Sequence, residues 1–221
     1  MKVVLQIILA KGGQQRILDI PAGNGLLAQK LREHGHTVIC GDINEEQEHY
    51  IFADMSGTLP FQNGEFDTVV CMEGIEHVIT PSLLVSELCR ICKPGGRIIL
   101  SLPNIQNLYS RLQFMCSGTF YQFPPFLPEA HHKTEKVDLG HISSLSYVQL
   151  RYLFSYFGAK VTHVSGDKYK RKFLTPILLP FVAIGWLWFK VARKPDETDP
   201  ALFSNRKLLL SRSLIMVLEK E

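Results

Sequence analysis

Short apolar runs alternate with stretches of helical periodicity along nearly the whole of this 221-residue chain. ILDI (17–20), HTVICGDI (36–43), IFADM (51–55), FDTVVCME (66–73), RIILSLPN (97–104), AKVTHVS (159–165) and SLIMVLEKE (213–221) read as strands. Residues 26–34, 82–92 and 145–157 place apolar side chains at helical spacing. Gly35, the KPGG of 93–96 and Gly158 stop them. This alternation predicts an α/β fold, an open and mostly parallel sheet.

Hydrophobic residues make up 46% of the chain and charged residues 20%, so a core can be buried and wholesale disorder is excluded. The net charge of +3 is too small to argue for nucleic acid. Its distribution says more: 12 Lys/Arg face 6 Asp/Glu from Lys160 onward, and 12 face 15 before it. A basic tail of this kind suits an anionic membrane surface or a solvated face. Five cysteines make no disulfide framework, and the count suits a reducing cytosol. Cys89 and Cys92 form a CxxC in a helical pattern with no second pair, so ordinary burial is expected. The opening MKVVLQIILAKGG lacks a small-residue cleavage site and reads as part of the fold rather than a signal peptide.

In an open α/β sheet, ligands bind at the carboxyl ends of the strands. The first strand ends in Asp19, then Pro21, Gly23 and Gly25, whose bare backbones allow a tight turn and close approach of a ligand. Asp42 ends the second strand, where a carboxylate can accept from both ribose hydroxyls of an adenosine. Asp54 and Met55 end the third, with a carboxylate for the adenine amino group and a thioether for the base. GNGLLA also satisfies a dinucleotide pattern with Ala last. Asp19 argues against that reading, because a carboxylate repels a pyrophosphate and attracts an ammonium. The alternative role for Asp19 is to cap the following loop.

These segments resemble the class I S-adenosylmethionine-dependent methyltransferases. ILDIPAGNG, GDI, the ADM–LPF–FDTVVCMEGIEHV stretch and LCRICKPGGRIILSLPN occur in that family's order and spacing over about residues 15–165, plus the final strand. The resemblance implies a Rossmann-like sheet with helices on both faces and one antiparallel strand near the C-terminus. It implies S-adenosyl-L-methionine as cofactor, with Gly23, Gly25, Asp42, Asp54 and Met55 in contact with it. It also implies that backbone around Met72 and Glu73 lines the methionine end. Pro21 departs from the family's usual small or variable residue.

Methyl transfer from a sulfonium is an in-line displacement, and positioning alone can supply about 7–11 kcal/mol of its barrier. A base is needed only where the acceptor must lose a proton. Glu73, Glu76 and His77 in MEGIEHV offer two carboxylates and an imidazole. The cluster looks like that of ubiquinone-biosynthesis O-methyltransferases, associated there with metal and with orienting a catechol. The readings are a base role for His77 with Glu76 beside it, a divalent-metal site, or packing at a helix start. The catalytic assignment falls on His77 and Glu76, with no metal assigned. His131, His132 and His141 lie in the loop after the fifth strand. There GHISSLSYVQL resembles a segment of lipopolysaccharide- and O-antigen-type methyltransferases, which makes His141 a candidate acceptor-site residue. Ser143 or Ser144 is expected to cap the next helix. Phe114, Phe120, Tyr121, Phe123 and Phe126, with Pro124, Pro125 and Pro128, read as an apolar lid or as packing.

Residues 173–189 hold no charge across 17 positions and are flanked by Lys170–Lys172 and by Lys190, Arg193 and Lys194. The length is marginal for a bilayer span. A single crossing would strand the last β-strand on the wrong side. The segment is therefore expected to lie in the interface, to re-enter, or to pack against the domain or a second copy. Pro176 and Pro180 are expected to kink or interrupt any helix there at its start. The organisation expected is a catalytic domain of 1–169 plus 205–221, interrupted by a membrane-docking insertion at 170–204. The function expected is methyl transfer to an oxygen of a hydrophobic or lipid-linked small molecule, in the cytoplasm and at the inner face of the membrane. The alternatives are an NAD-dependent oxidoreductase and a non-catalytic membrane-docked binding module. Oligomeric state is open.

Overall fold

The structure is a computed structural model that describes residues 1–44, 49–123, 140–169, 175–192 and 204–221. A seven-stranded sheet is built from β1 (Arg16–Asp19), β2 (Thr37–Asp42), β3 (Tyr50–Phe52), β4 (Phe66–Met72), β5 (Cys92–Pro103), β6 (Ala159–Gly166) and β7 (Ser213–Lys220). Its order is β3-β2-β1-β4-β5-β7-β6. The pairs among β1–β5 are parallel, and β7 runs antiparallel to both β5 and β6. This is the mostly parallel sheet with one reversed strand that the sequence predicts.

Side-chain alternation gives the sheet two covered faces. Leu18, Val69, Ile98 and Leu100 point to one face, packed with Leu84 and Leu88 of α3 (Pro81–Ile91) and Leu150 and Phe154 of α5 (Tyr147–Tyr156). Ile17, Val38, Val70 and Ile99 point to the other, under Val4 and Ile8 of α1 (Lys2–Leu9) and Leu27 and Leu31 of α2 (Leu26–Glu33). Each such buried Leu, Ile, Val or Phe contributes about 1.5–3 kcal/mol relative to exposure. The N-terminal run is thus a helix that covers the sheet.

KPGG, expected only as a stop after α3, lies within β5 as an irregularity. The register steps from Phe66↔Cys92 to Thr68↔Arg97. Gly96 is required there, since a Cβ would lie 2.7 Å from the Lys93 carbonyl and 2.8 Å from Cys92 Sγ. Cys89 and Cys92 are free and buried. Burial pushes their thiols up, to about 11 and about 12, which is inert-thiol behaviour.

Two helices were not anticipated: α4 (Leu108–Ser117) and α7 (Arg206–Leu210). In α4, Asn107 caps the start by accepting from Ser110 N, and Gly118 ends it in the left-handed conformation. The apolar insertion forms α6 (Thr175–Ala192), which runs through Pro180 rather than breaking there. Pro176 falls in its first turn, where a missing N–H costs nothing.

Candidate functional site

The carboxyl ends of β1, β2 and β4 meet in register, with Asp19 beside Cys40 and Val70. Asp19 is buried at 2% exposure, and its Oδ2 has no hydrogen-bond partner among the described residues. Burial raises its pKa to about 7; Arg32 opposes the rise and Asp42 adds to it. Arg32 is occupied elsewhere, donating to the Val38 carbonyl at 2.7 Å and to Cys40 Sγ at 3.4 Å.

Asp42 is buried too. Its Oδ2 accepts from Gly23 N at 2.8 Å and its Oδ1 from Asn44 N at 3.0 Å. Each carboxylate oxygen keeps a further lone pair for a hydroxyl donor. Gly23 and Gly25 both take positive φ, 53° and 68°. A Cβ on Gly23 would meet only open space, whereas one on Gly25 would strike the Tyr50 hydroxyl. That hydroxyl donates to the Gly23 carbonyl at 3.3 Å. Tyr50 was missed by sequence reasoning; one position upstream of the run read as a strand, it carries no motif of its own.

The third-strand residues separate. Met55 packs on the core, its Cε 3.1 Å from where a Gly74 Cβ would stand, next to Pro21. Asp54 is exposed, and its Oδ1 accepts from Ser56 N at 2.7 Å in its own turn. At the end of β4, Glu73 holds a left-handed backbone, φ 49°, which is strained for a residue with a side chain. Its amide donates to the Ser101 carbonyl and its Oε1 accepts from Ser101 Oγ, both at 2.7 Å. Glu73 is thus tied to Ser101 and is not part of the ligand cluster that Glu76 and His77 join.

Those two sit on a 3-10 turn, Ile75–His77. The segment 141–143 is pinned onto it. Ile142 N and Ser143 N both donate to the Glu76 carbonyl at 3.0 Å, and Ser143 Oγ donates to the Val78 carbonyl at 2.7 Å. Ser143 is thus a strap rather than a cap; Ser146 caps α5, in a reciprocal pair with Gln149. The strap brings His141 edge-on to His77, ring centres 4.8 Å apart. His141 Nδ1 lies 2.7 Å from the Gln122 carbonyl, which leaves Nε2 for other work. Phe123 packs on the same ring at 5.4 Å.

Glu76 is fully buried, and neither carboxylate oxygen makes a hydrogen bond among the described residues. Burial raises it to about 8; its own backbone amide opposes the rise without reaching bonding geometry, and Glu73 adds to it. Glu76, His77 and His141 each present a ligand atom within 4.8 Å of the others, a set with the chemistry to hold a divalent cation. Of the aromatics that follow β5, Phe114 stacks on Phe120 and Tyr109 meets Tyr121 edge-on. Pro124, Pro125, Phe126, Pro128, His131 and His132 lie outside the described residues.

The residues fit S-adenosylmethionine on an observation of their own: the orphaned Asp19 oxygen lacks the donor that an ammonium group would bring. No phosphate-binding cation is needed beside it.

Comparison with known proteins agrees. A family model described as "Methyltransferase domain" matches residues 2–164. A ubiquinone biosynthesis O-methyltransferase of Xanthomonas oryzae pv. oryzae is 32% identical over 103 residues, covering 40% of this chain and 43% of that protein. A demethylmenaquinone methyltransferase of Clavibacter sepedonicus is 32% identical over 99 residues, covering 39% and 40%. The chain thus spans less than half the length of these curated relatives. The crystal structure of an S-adenosylmethionine-dependent methyltransferase from Mesorhizobium loti shares the fold at TM-score 0.59, with 14% identity over 99% of this chain and 96% of that one. With most of its length matched by the family model, the chain belongs to the methyltransferase-domain family, the class I S-adenosylmethionine-dependent group that its motifs resemble.

Proposed function

We propose that the protein is an S-adenosylmethionine-dependent methyltransferase acting on an oxygen of a hydrophobic small molecule of the quinone type. The observation that carries the reading is the buried Asp19 carboxylate with an unpartnered oxygen, beside a glycine turn held by Asp42. The quinone class is drawn from the names of the relatives and from the aromatic surroundings of His141.

Bound S-adenosylmethionine supplies an electrophilic methyl group on a sulfonium. Asp19 would hold the ammonium end, and Asp42, which fixes the loop by accepting from Gly23 N, would accept from the ribose. On the acceptor side, His77 is the base that would take the proton of the acceptor hydroxyl, and His141, fixed by Gln122 and the strap, would border the acceptor. Glu76, buried and held uncharged near neutral pH, contributes its backbone carbonyl, which accepts from Ile142 N and Ser143 N and so anchors the strap beside His77.

The test is transfer of an isotope-labelled methyl group into a quinone and catechol panel and a lipid extract. A labelled ether product is expected, and His77→Ala slows its formation about 10²-fold or more while cofactor affinity stays within a few-fold. Absence of any labelled product contradicts the activity. A near-normal rate in His77→Ala contradicts the base role alone.

A further inference from the structure

β6 runs parallel to β5, so it ends at the edge of the sheet where the cofactor residues lie; β7 begins at that same edge, with Gly166 opposite Leu214 and Pro103 opposite Ser213. The whole connection from 167 to 212, α6 included, therefore leaves from and returns to the site's edge. α6 touches the domain through Val182, buried with Leu108 of α4 and Leu209 of α7. Most of its remaining surface is apolar and bare: Ile177, Phe181, Ile184 and Trp188 are 63–71% exposed. Trp186 is half-exposed, with Lys190 Nζ 3.9 Å from its ring centre.

Water is a poor solvent for such a helix, so something covers it. Charge identifies the occupant. Residues 168–194 contain seven Lys/Arg and no Asp/Glu. A second copy of the chain would bring these like charges together, whereas an anionic surface neutralises them. A span is excluded by the return path: residues 193–203 carry Arg193, Lys194, Asp196, Glu197 and Asp199, which cannot recross hydrocarbon to start β7.

We infer that α6 docks this protein onto anionic lipid bilayers, lying in the interface with its apolar surface among the acyl chains and its basic flanks at the headgroups. Basic flanks and an inserted apolar face are two signals acting together. The docked helix puts the carboxyl edge of the sheet against the membrane, where an apolar acceptor would arrive without crossing water. That last point rests on the proposed activity; the docking itself does not.

Both tryptophans of the chain lie in α6, so their fluorescence reports on this helix alone. The full-length protein is mixed with vesicles of phosphatidylcholine, with and without 30 mole per cent (about) phosphatidylglycerol, some carrying brominated acyl chains. Expected are a blue-shifted emission, quenching by the brominated lipid, and binding at least tenfold weaker to the neutral vesicles. Phe181→Asp with Ile184→Asp should abolish the shift, while S-adenosylhomocysteine binding shows that the domain is intact. Emission unmoved by anionic vesicles overturns the inference. So does emission already blue-shifted in a stable dimer without lipid, which would make a second copy the occupant. Failure of cofactor binding with vesicle binding intact would strike the proposed activity and leave the docking standing.

Discussion

Buried at the carboxyl end of β1, Asp19 bears a desolvation penalty that Arg32 offsets only in part, and its Oδ2 has no hydrogen-bond partner among the described residues. Its pKa rises from 3.8 to about 7, so the folded protein holds this proton more tightly than the unfolded chain does. The sign follows. Below pH 3.8 the group is neutral in both states and costs nothing; between 3.8 and about 7 stability declines, and above that the loss is complete. About three pKa units correspond to roughly 4 kcal/mol as an upper order of magnitude. Asp19→Asn should therefore melt higher than the wild type at pH 8 without ligand, and at nearly the same temperature at pH 4. Equal melting differences at both pH values would show that Asp19 is not held against its charge. At this scale the sequence was informative where chemistry is tied to a strand end: Asp19, Gly23, Gly25 and Asp42 converge as their spacing suggests. It was silent on Tyr50, whose ring reaches the turn from β3, and on the split between Glu73, tied to Ser101, and Glu76. Those depend on backbone bends that residue spacing does not encode.

Elements with strong periodicity and a breaker were legible, and those without were not. α3 starts at Pro81 and ends where the bulge of β5 begins, so its limits were readable to about a residue. α4 buries only Leu108 and Ser110 among its ten residues, too weak an apolar stripe to mark it as a helix. α6 is apolar almost all round, so it carries no one-faced stripe to fix its limits, and it continues through Pro180, where the sequence predicts a kink or an interruption. The start of α5 was misplaced by two or three residues, because Ser143, Ser144 and Ser146 all look like caps. The capping box of Ser146 with Gln149 decides among them, while Ser143 is spent on Val78. Replacing Ser146 with Ala should cost about 1 kcal/mol in urea unfolding. Replacing Ser144, for which no such pairing is described, should cost less than half of that. The reverse ranking would move the cap back to the position first expected.

At the scale of the molecule, three separate parts of the chain emerge at one edge of the sheet. They are the glycine turn after β1, the strap 141–143 over the 3-10 turn, and the β6–β7 connection that carries α6. The reversal of β7 is what makes the third possible, since it lets an insertion open and close on the same side as the site. The sheet class was readable in advance; that the β6–β7 connection shares an edge with the candidate site depends on β7 running antiparallel to both its neighbours. The account as a whole turns on Asp19 and the bare turn selecting a cationic, phosphate-free ligand. Calorimetric titration with S-adenosylhomocysteine and with NAD, between pH 5.5 and 7.5, tests this most directly. The account predicts binding of S-adenosylhomocysteine that strengthens as Asp19 ionises, several-fold per pH unit below about 7, a pH dependence that Asp19→Asn removes, and little or no binding of NAD. Tighter binding of NAD, or an affinity for S-adenosylhomocysteine that is flat with pH and indifferent to Asp19→Asn, would contradict it.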